Sequence, residues 1–379
     1  MKFFQALLGY FSYRKFIKKN DSKKIIFFSE SKNYRNYLLN LMKYFKNENS
    51  IKIIYLTSDI DDKEKISDNI YPVYIGSGFI RVLIFSFIRC EALVMTLTDL
   101  GNHEIKRSKY CKNYVYIFHS LVSTHKCYTH KAFENYDIIL SNGSYQQKEL
   151  ELSEHLFDFK KKKIVNTGYL YLENLLENKN KNKYSQKESK ILFALSWNKN
   201  RDNLFDRHAE RILENLIDKK YEIVLRLHPE TLKRSDQTIK NINKKFKEFR
   251  NFEINSDLEN LKSLNESSLL ITDNGGIALE YYIIQRKPVL YINHLEKIHN
   301  IFFDKIKIPT LEDQFKSLIG TAMPLDQLNK IEFYIEKTKK DFKKNEYLID
   351  DLILKNQLIL NNQTNNAKKV LIDLLLSSN

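Results

Sequence analysis

The sequence is poor in the residues that build cross-linked or metal-bound frameworks. Its 379 residues include only three cysteines, Cys90, Cys111 and Cys127. They form no Cys-x-x-Cys pair and are odd in number, so neither a disulfide framework nor a zinc site is expected, and a reducing compartment is indicated. Glycine (9) and proline (5) are also scarce, whereas lysine, asparagine and isoleucine are abundant. An AT-rich genome would produce this bias without any functional cause.

Long hydrophobic runs are missing as well. The apolar stretch at residues 82–88 is far too short to cross a bilayer. At the N-terminus, no small-residue cleavage site follows the apolar part. We therefore expect a cytoplasmic protein.

The overall composition is that of a large, basic, globular protein. Hydrophobic residues make up 42% and aromatic residues 13% of the sequence, which is enough for packed cores. Because 379 residues exceed the usual size of one core, two domains with a cleft between them are predicted. The formal charge of +15 predicts affinity for anionic lipid, nucleic acid or a polyanionic glycan, and does not choose among them.

The first 19 residues have the pattern of a basic amphipathic helix. Its apolar residues recur at helical spacing and are Phe3, Phe4, Leu7, Leu8 and Phe11. Its basic end carries Arg14, Lys15, Lys18 and Lys19. Such a helix can place its aromatic face in the headgroup region of a membrane while its basic residues meet anionic lipid. Packing on the protein's own domain explains the same pattern, and both interpretations stay open.

The rest of the chain alternates short apolar strands with helical or polar segments. Strands are predicted at Ile25–Ser29, Ile51–Leu56, Ala92–Met95, Tyr114–Phe118, Asp137–Leu140, Ile164–Asn166, Ile191–Leu195, Glu222–Leu227, Leu269–Thr272 and Pro288–Tyr291. Helices are predicted near residues 34–45, 202–219, 257–265 and 276–284. This alternation predicts an α/β fold of two facing Rossmann-like domains with parallel sheets.

Composition indicates where the domains divide. Residues 177–190 are rich in lysine, asparagine and serine and lack apolar periodicity, which is typical of a linker. The predicted organisation is an N-terminal helix at 1–19, an acceptor domain at 20–176, the linker, a nucleotide-donor domain at 191–324 and a helical segment at 325–379. That last segment can cover or brace both domains.

The most informative segment joins an apolar strand to a helix through glycines. Thr272, Asp273 and Asn274 follow the strand, and Gly275 and Gly276 precede the helix. Glycines at such a turn let backbone N–H groups approach a phosphate, and the helix N-terminus adds partial positive charge. One helical turn later, Glu280 can accept hydrogen bonds from ribose hydroxyls. We expect a diphosphate site here, although a turn that only reverses the chain would have a similar sequence.

Two histidines occur at the ends of predicted strands. Arg226, His228 and Pro229 close one strand in the second half, and His119 closes one in the first half. Because the carboxyl ends of parallel strands face the ligand crevice, both imidazoles are predicted to reach the cleft. The loop after His119 adds hydroxyls and a lysine. Either histidine could instead have a purely structural role.

These segments resemble, in order, motifs of the CDP-glycerol glycerophosphotransferase family, whose members build and prime teichoic acids. His119 with Lys126 resembles the family's His-and-Lys loop, Thr167-Gly168-Tyr169 resembles its Thr-Gly-Tyr-Pro turn, and Ile191–Trp197 resembles its strand ending in Thr-Trp. Arg226-Leu227-His228-Pro229 resembles its Arg-x-His-Pro motif, and Ile271-Thr272-Asp273 resembles its Ile-Thr-Asp motif. They cover about residues 114–292. The resemblance implies a GT-B fold in which the C-terminal half holds the nucleotide.

The sequence also departs from that family. The loop between His119 and Lys126 is two residues longer, Leu170 replaces a proline, and Gly275-Gly276 replaces two serines. The Asp-Asn-Gly-Gly form with Glu280 also resembles UDP-N-acetylglucosamine 2-epimerases and glycosyltransferases of the same fold.

The resemblance implies transfer of glycerol phosphate, or a related polyol phosphate, from a CDP-linked donor to a hydroxyl of a cell-surface glycan or lipid-linked acceptor. Under this hypothesis His119 and His228 are catalytic: His119 deprotonates the acceptor and His228 stabilises the diphosphate and the departing CMP. Donor contacts are expected from Arg226, Thr272, Asp273, Asn274, Gly275, Gly276 and Glu280. Candidate contacts to the acceptor or a phosphate are Ser120, His125, Lys126 and Trp197.

No cofactor and no metal ion is expected, and the predicted location is the inner face of the plasma membrane. One alternative is a GT-B glycosyltransferase that uses a UDP- or CMP-sugar. Another, from a different class, is a basic nucleic-acid-binding protein. Only the charge supports it, and the sequence has no glycine-aromatic RNA signature and no recognisable basic helix motif. A nucleic-acid partner is therefore not expected.

Overall fold

A computed structural model of the chain describes residues 2–18, 24–45, 51–62, 64–67, 70–103, 105–181, 190–198, 203–219, 221–256, 261–342, 345–360 and 362–376. Most of the predicted linker, residues 182–189, lies outside the described residues. The same holds for residue 202, at the start of one predicted helix, and for residues 257–260 of another. In the described chain the strands form two sheets in which every pairing is parallel.

The first sheet belongs to the N-terminal half and has the order β3-β2-β1-β4-β5-β6-β7. Its strands are β1 (Lys24–Ser29), β2 (Lys52–Thr57), β3 (Pro72–Tyr74), β4 (Cys90–Met95), β5 (Cys111–Ile117), β6 (Ile138–Ser141) and β7 (Lys163–Asn166). Its helices are α1 (Lys2–Lys18), α2 (Lys32–Tyr44), α3 (Phe79–Ser86), α4 (Thr124–Cys127), α5 (Ser144–Phe157) and α6 (Leu170–Lys181). The central strands are continuously apolar because side chains on both faces are buried under helices.

The second sheet has the order β10-β9-β8-β11-β12-β13. Its strands are β8 (Lys190–Phe193), β9 (Ile223–Arg226), β10 (Phe252–Asn255), β11 (Ser267–Thr272), β12 (Val289–Asn293) and β13 (Gly320–Pro324). The helices that follow β8 are α7 (Leu204–Asp218), α8 (Pro229–Arg234), α9 (Asp236–Phe246), α10 (Lys262–Asn265), α11 (Ile277–Gln285), α12 (Leu311–Ile319), α13 (Ile331–Phe342), α14 (Glu346–Lys355) and α15 (Gln363–Leu376).

The predicted α/β architecture is confirmed, and all ten predicted strands are present. Three further strands, β3, β10 and β13, were not predicted, and each is an edge strand of its sheet. An edge strand pairs on one side only, so it needs a less continuous apolar sequence than a central strand. The sequence signal at these positions is correspondingly weak.

The C-terminal helices divide between the two halves. Ile349 and Ile353 of α14 pack into the core of the second half. In contrast, Leu371 of α15 packs in one cluster with Ile25 and Phe27 of β1, on the first sheet. The last helix of the chain therefore completes the core of the first half.

The N-terminal helix packs on its own domain and also keeps an exposed apolar face. Ala6, Gly9 and Tyr13 of α1 are buried, and a side chain at Gly9 would overlap the carbonyl oxygen of Tyr74 in β3. The opposite face exposes Phe4 and other apolar residues. Packing on its own domain is therefore confirmed for the buried face of the helix, and the membrane interpretation of the exposed face stays a prediction. Of the helices described, none combines the length and apolar character needed to cross a membrane.

Candidate active site

A cavity of about 380 Å³ lies between the carboxyl ends of the two sheets. The first-half wall follows β1, β4 and β5 and includes Glu30, Thr96 and His119. The second-half wall follows β8, β9 and β11 and includes Trp197, His228 and Asn274. These six residues all follow strands, because parallel strands end at one edge of their sheet.

His119 lies in the cavity wall at the end of β5. Its ring makes edge contacts with the rings of Tyr34 and Tyr37, at centroid distances of 5.2 and 6.0 Å. Burial, helped by the positive charge of Lys297, lowers the pKa of His119 to about 4. The ring is therefore neutral at pH 7. Its Nδ1 is buried without a hydrogen-bond partner, and a ligand hydroxyl there would satisfy a group that is costly to leave unpaired.

His228 reaches the same cavity from the second half. It precedes α8, and its Nδ1 accepts a hydrogen bond from the backbone N–H of Glu230 at 3.1 Å. Burial, together with Lys297, lowers the pKa of His228 to about 3. A neutral ring whose Nδ1 is an acceptor carries its proton on Nε2, so His228 can donate a hydrogen bond from that atom.

The glycine turn forms the second-half wall beside the histidines. Asn274, Gly275, Gly276 and Ile277 line the cavity where α11 begins. The first N–H groups of a helix have no partner within the helix and carry partial positive charge. A side chain at Gly276 would overlap Oγ of Ser120, a cavity residue of the first half. Glycine at this position therefore permits close approach of the two halves.

Thr272 and Asp273 are not among the cavity-lining residues. Asp273 accepts hydrogen bonds from the backbone N–H of Ser196 at 2.8 Å and from the Ser196 hydroxyl at 2.7 Å. Burial raises the pKa of Asp273 in spite of these hydrogen bonds. Thr272 Oγ1 is buried without a hydrogen-bond partner. Asp273 therefore supports the loop that carries Trp197, and neither residue is part of the cavity lining.

Glu280 lies in the cavity wall and links the two halves. Its Oε1 accepts a hydrogen bond from the hydroxyl of Tyr169 at 2.7 Å. Burial raises the pKa of Glu280 to about 7, although the Tyr169 hydrogen bond and the charge of Arg226 act in the opposite direction. Arg226 also lines the cavity, and it donates a hydrogen bond to the Ser263 hydroxyl at 3.2 Å.

Of the four candidate acceptor or phosphate contacts, Ser120 and Trp197 line the cavity. The guanidinium carbon of Arg234 lies 5.2 Å from the centre of the Trp197 ring. This contact holds the ring at the second-half wall.

His125 and Lys126 are placed elsewhere, because the short helix α4 turns them away from the cavity. Nδ1 of His125 lies 3.2 Å from a carboxylate oxygen of buried Glu149. Nζ of Lys126 lies 3.1 Å from Glu296 of the second half. Burial alone would lower the pKa of Lys126, but Glu296 and neighbouring carboxylates raise it. These contacts hold the two halves and the α4 region together, so neither side chain is brought to the cavity.

Lys297, Glu30 and Tyr34 also line the cavity, and none of the three was predicted from the sequence. Lys297 follows β12, and its charge lowers the pKa of both His119 and His228. Within the part of the chain that the structure describes, its ammonium makes no hydrogen bond or ion pair. The position of Glu30 and Lys297 after central strands was the signal that could have identified them.

No group of three or more histidine, cysteine or acidic side chains that could hold a metal ion is present among the described residues. An Asp-x-Asp pattern occurs at Asp59 and Asp61, after β2. There, Asp59 accepts hydrogen bonds from the backbone N–H groups of Lys32 and Asp61, both at 3.0 Å.

Comparisons with known proteins find similarity in structure only. No protein-family model matches the sequence, and no curated protein matches it. A structure of the wall teichoic acid polymerase TagF soaked with CDPG has a TM-score of 0.60 at 14% identity, covering 99% of this chain and 94% of that chain. The Neisseria meningitidis UDP-GlcNAc 2-epimerase bound to UDP-GlcNAc has a TM-score of 0.59 at 13% identity, covering 94% of this chain and 100% of that chain.

The Methanocaldococcus jannaschii UDP-GlcNAc 2-epimerase, in complex with UDP-GlcNAc and UDP, has a TM-score of 0.56 at 16% identity and covers 88% of this chain and 99% of that chain. At such low identity these similarities concern the fold. The predicted GT-B architecture is confirmed: the chain has the two-sheet fold that the teichoic acid polymerase TagF and the UDP-GlcNAc 2-epimerases share.

Proposed function

We propose that this protein transfers a polyol phosphate, such as glycerol phosphate, from a CDP-linked donor to a hydroxyl of a cell-surface glycan or lipid-linked acceptor. The observation that carries the proposal is the meeting of His119 and His228, one from each half, in a single cavity beside the N-terminus of α11. The likeness to TagF, one of whose structures was soaked with CDPG, adds support.

His119 is the proposed general base. Its ring is neutral at pH 7, and its Nδ1 has no partner in the fold. As the acceptor oxygen attacks the phosphorus next to glycerol, the hydroxyl proton passes to this nitrogen. The bond between that phosphorus and the oxygen of CMP breaks, and CMP leaves with one more negative charge. Assistance of this kind typically contributes ~10²–10⁴ in rate when the pKa of the base lies near the working pH. The negative charge of a bound diphosphate would raise the pKa of His119 toward that range.

The departing CMP requires stabilisation of negative charge. We assign this role to Nε2–H of His228, to Arg226 and Lys297, and to the backbone at Asn274–Gly276. These groups line the same wall of the cavity. Hydrogen-bond donors and cations that are already fixed in position stabilise the negative charge that develops in the transition state, because they need not reorient during the reaction. Asp273 would act indirectly, by supporting the loop that carries Trp197, and Thr272 has no contact to the cavity that would give it a role. Glu280 is the proposed contact to the ribose. This contact would either replace the hydrogen bond from Tyr169 or form in addition to it.

We place the enzyme at the inner face of the plasma membrane, as a peripheral protein. The exposed apolar face of α1 and the charge of +15 support this location. A lipid-linked acceptor would then be presented at the surface where the enzyme binds.

A UDP-sugar glycosyltransferase is the second candidate. The similarity to epimerases bound to UDP-GlcNAc favours it, and a phosphate-binding turn serves any nucleotide diphosphate. In that case the acceptor would attack an anomeric carbon and UDP would leave.

The donor can be identified by thermal stability and by product. A ligand that binds only the folded state raises the melting temperature by mass action. We expect CDP-glycerol and CMP to raise it more than UDP-N-acetylglucosamine and UDP at equal concentration, and CMP to be released from CDP-glycerol when acceptor is present. Preferential stabilisation by the UDP compounds, with UDP as the product, would replace the proposed function by the second candidate.

A further inference from the structure

A second cavity, of about 410 Å³, lies between α1 and α3. We call it the basic groove. Three basic residues line it, namely Arg14, Lys18 and Arg89, together with aromatic side chains that include Tyr10, Phe87 and Tyr110. None of the lining residues is acidic. The groove therefore concentrates positive charge in a small concave surface.

The three basic side chains of the groove have no acidic partner in the described chain. The two arginines contact rings instead: the guanidinium of Arg14 lies 5.9 Å from the Tyr10 ring centre, and that of Arg89 lies 5.1 Å from the Tyr110 ring centre. By contrast, Arg107 forms an ion pair with Asp137 at 2.8 Å. Like charges held close together repel, and a bound anion would relieve this repulsion.

Large apolar side chains are exposed on the same two elements. On α1 these are Phe4, Leu8 and Phe11, and at the two ends of α3 they are Phe79 and Phe87, with 72% and 61% of their surface exposed. Tyr10, which lines the groove, makes an edge contact with Phe11 at 5.8 Å. Apolar residues beside unpaired basic residues are typical of elements that lie in a membrane interface.

We propose that the basic groove binds the phosphate-bearing headgroup of an anionic phospholipid, while the neighbouring apolar side chains enter the upper acyl region. The groove has the charge for a phosphodiester, and its aromatic walls suit the boundary between headgroup and acyl chain. This inference rests on the proposed location at the membrane, and the groove residues are the ones that would hold the protein there. It does not depend on the identity of the nucleotide donor.

The test compares two variants that remove the same charge from the full-length protein. The double variant Arg14→Gln/Arg89→Gln removes two positive charges from exposed side chains of the groove. The control Lys244→Gln/Lys307→Gln removes two exposed lysines from the second half. Both are measured by co-sedimentation with vesicles of phosphatidylcholine alone and of phosphatidylcholine with phosphatidylglycerol. Because each basic residue near an anionic surface contributes to binding, we expect the groove variant to bind the anionic vesicles roughly thirtyfold more weakly.

The control should bind the anionic vesicles as tightly as the unmodified protein does. The control and the unmodified protein should both bind vesicles of phosphatidylcholine alone only weakly. An equal loss in both variants would mean that only diffuse charge attracts the membrane, and it would overturn the groove as a site. A third variant, Phe11→Ser, should weaken binding to the anionic vesicles without changing the net charge. Unchanged binding of this variant would contradict insertion of the apolar residues.

Soluble glycerol 3-phosphate separates a membrane headgroup from a free phosphate ester. We expect millimolar glycerol 3-phosphate to leave vesicle binding nearly unchanged, because it lacks the apolar contribution. Complete displacement would assign the groove to a soluble ligand and overturn the proposal. Vesicle binding needs no nucleotide, so failure of the groove and failure of the CDP-linked donor would be seen in different experiments.

Discussion

At the scale of single residues, the cavity combines two neutral histidines with one unpaired ammonium. Burial and Lys297 together lower the pKa of His119 to about 4 and of His228 to about 3. The positive charge of the cavity wall is therefore carried by Lys297 and Arg226, and the imidazoles are uncharged. A nucleotide diphosphate would bring the compensating negative charge.

The two histidines can be tested one at a time. We expect His119→Ala and His228→Ala each to lower turnover by ~10²–10⁴, because each removes a group from the reacting centre and not from a hydrophobic core. The exposed His155→Ala in α5 is the matched control and should retain normal turnover. Circular dichroism would verify that each variant is folded. A folded variant with near-normal turnover would remove that histidine from the mechanism.

Glu280 gives a prediction about pH. Its folded pKa of about 7 is raised above the unfolded value of 4.5, mainly by burial. The stability this group contributes is therefore fully present below about pH 4.5 and is lost as the pH rises through about 7. Glu280→Gln removes the ionisation and keeps an oxygen that can accept from Tyr169. At pH 8 we expect the variant to exceed the unmodified protein in free energy of unfolding by about 1–3 kcal/mol.

At pH 4, below the unfolded pKa of 4.5, the two proteins should be nearly equal in stability. Urea unfolding at both pH values measures the difference, and the exposed Glu248→Gln serves as the control. A stability gain of the same size at pH 4 and pH 8 would show that ionisation of Glu280 is not its cause.

At the scale of elements, the docking of α1 on β3 depends on one small residue. A Cβ at Gly9 would overlap the carbonyl oxygen of Tyr74, which is backbone and cannot rotate away. We expect Gly9→Ala to destabilise the protein by roughly 1–3 kcal/mol, as overpacking generally does. Gly78→Ala, before α3, is the control, since a Cβ added there would have no other atom within 4 Å. Thermal unfolding compares the two, and an unchanged melting temperature for Gly9→Ala would mean that α1 is not seated on β3.

The docking of α1 also changes what removal of the N-terminus would do. If the helix only bound the membrane, it could be deleted without effect on the domains. In the structure its buried residues Ala6 and Tyr13 belong to the core of the first half. Substitutions on its exposed face are therefore the better probe of membrane binding.

At the scale of the whole molecule, the last helix returns to the first sheet. Leu371 of α15 is fully buried in one cluster with Ile25 and Phe27. Leu371→Ala should cost about 2–5 kcal/mol of unfolding free energy. Leu376→Ala, at a side chain that is 64% exposed, should cost about 0.5 kcal/mol or less.

Native-state hydrogen exchange can locate the effect of Leu371→Ala. Because α15 covers the first sheet, protection should fall more in β1 and β4 than in β8 and β11. An equal loss of protection in both sheets would indicate that the halves unfold together.

The sequence by itself determined the strands at the centre of each sheet, the glycine turn before α11 and the two histidines at strand ends. These follow from local apolar patterning and from the rule that parallel strands end at one edge. Only the tertiary structure decided that Lys297 and Glu30 face the cavity, that Tyr169 bonds to Glu280, and that His125 and Lys126 turn toward other partners. The reason is physical: a local pattern fixes where a strand ends, whereas the direction of a loop side chain depends on residues from the other half that pack against it.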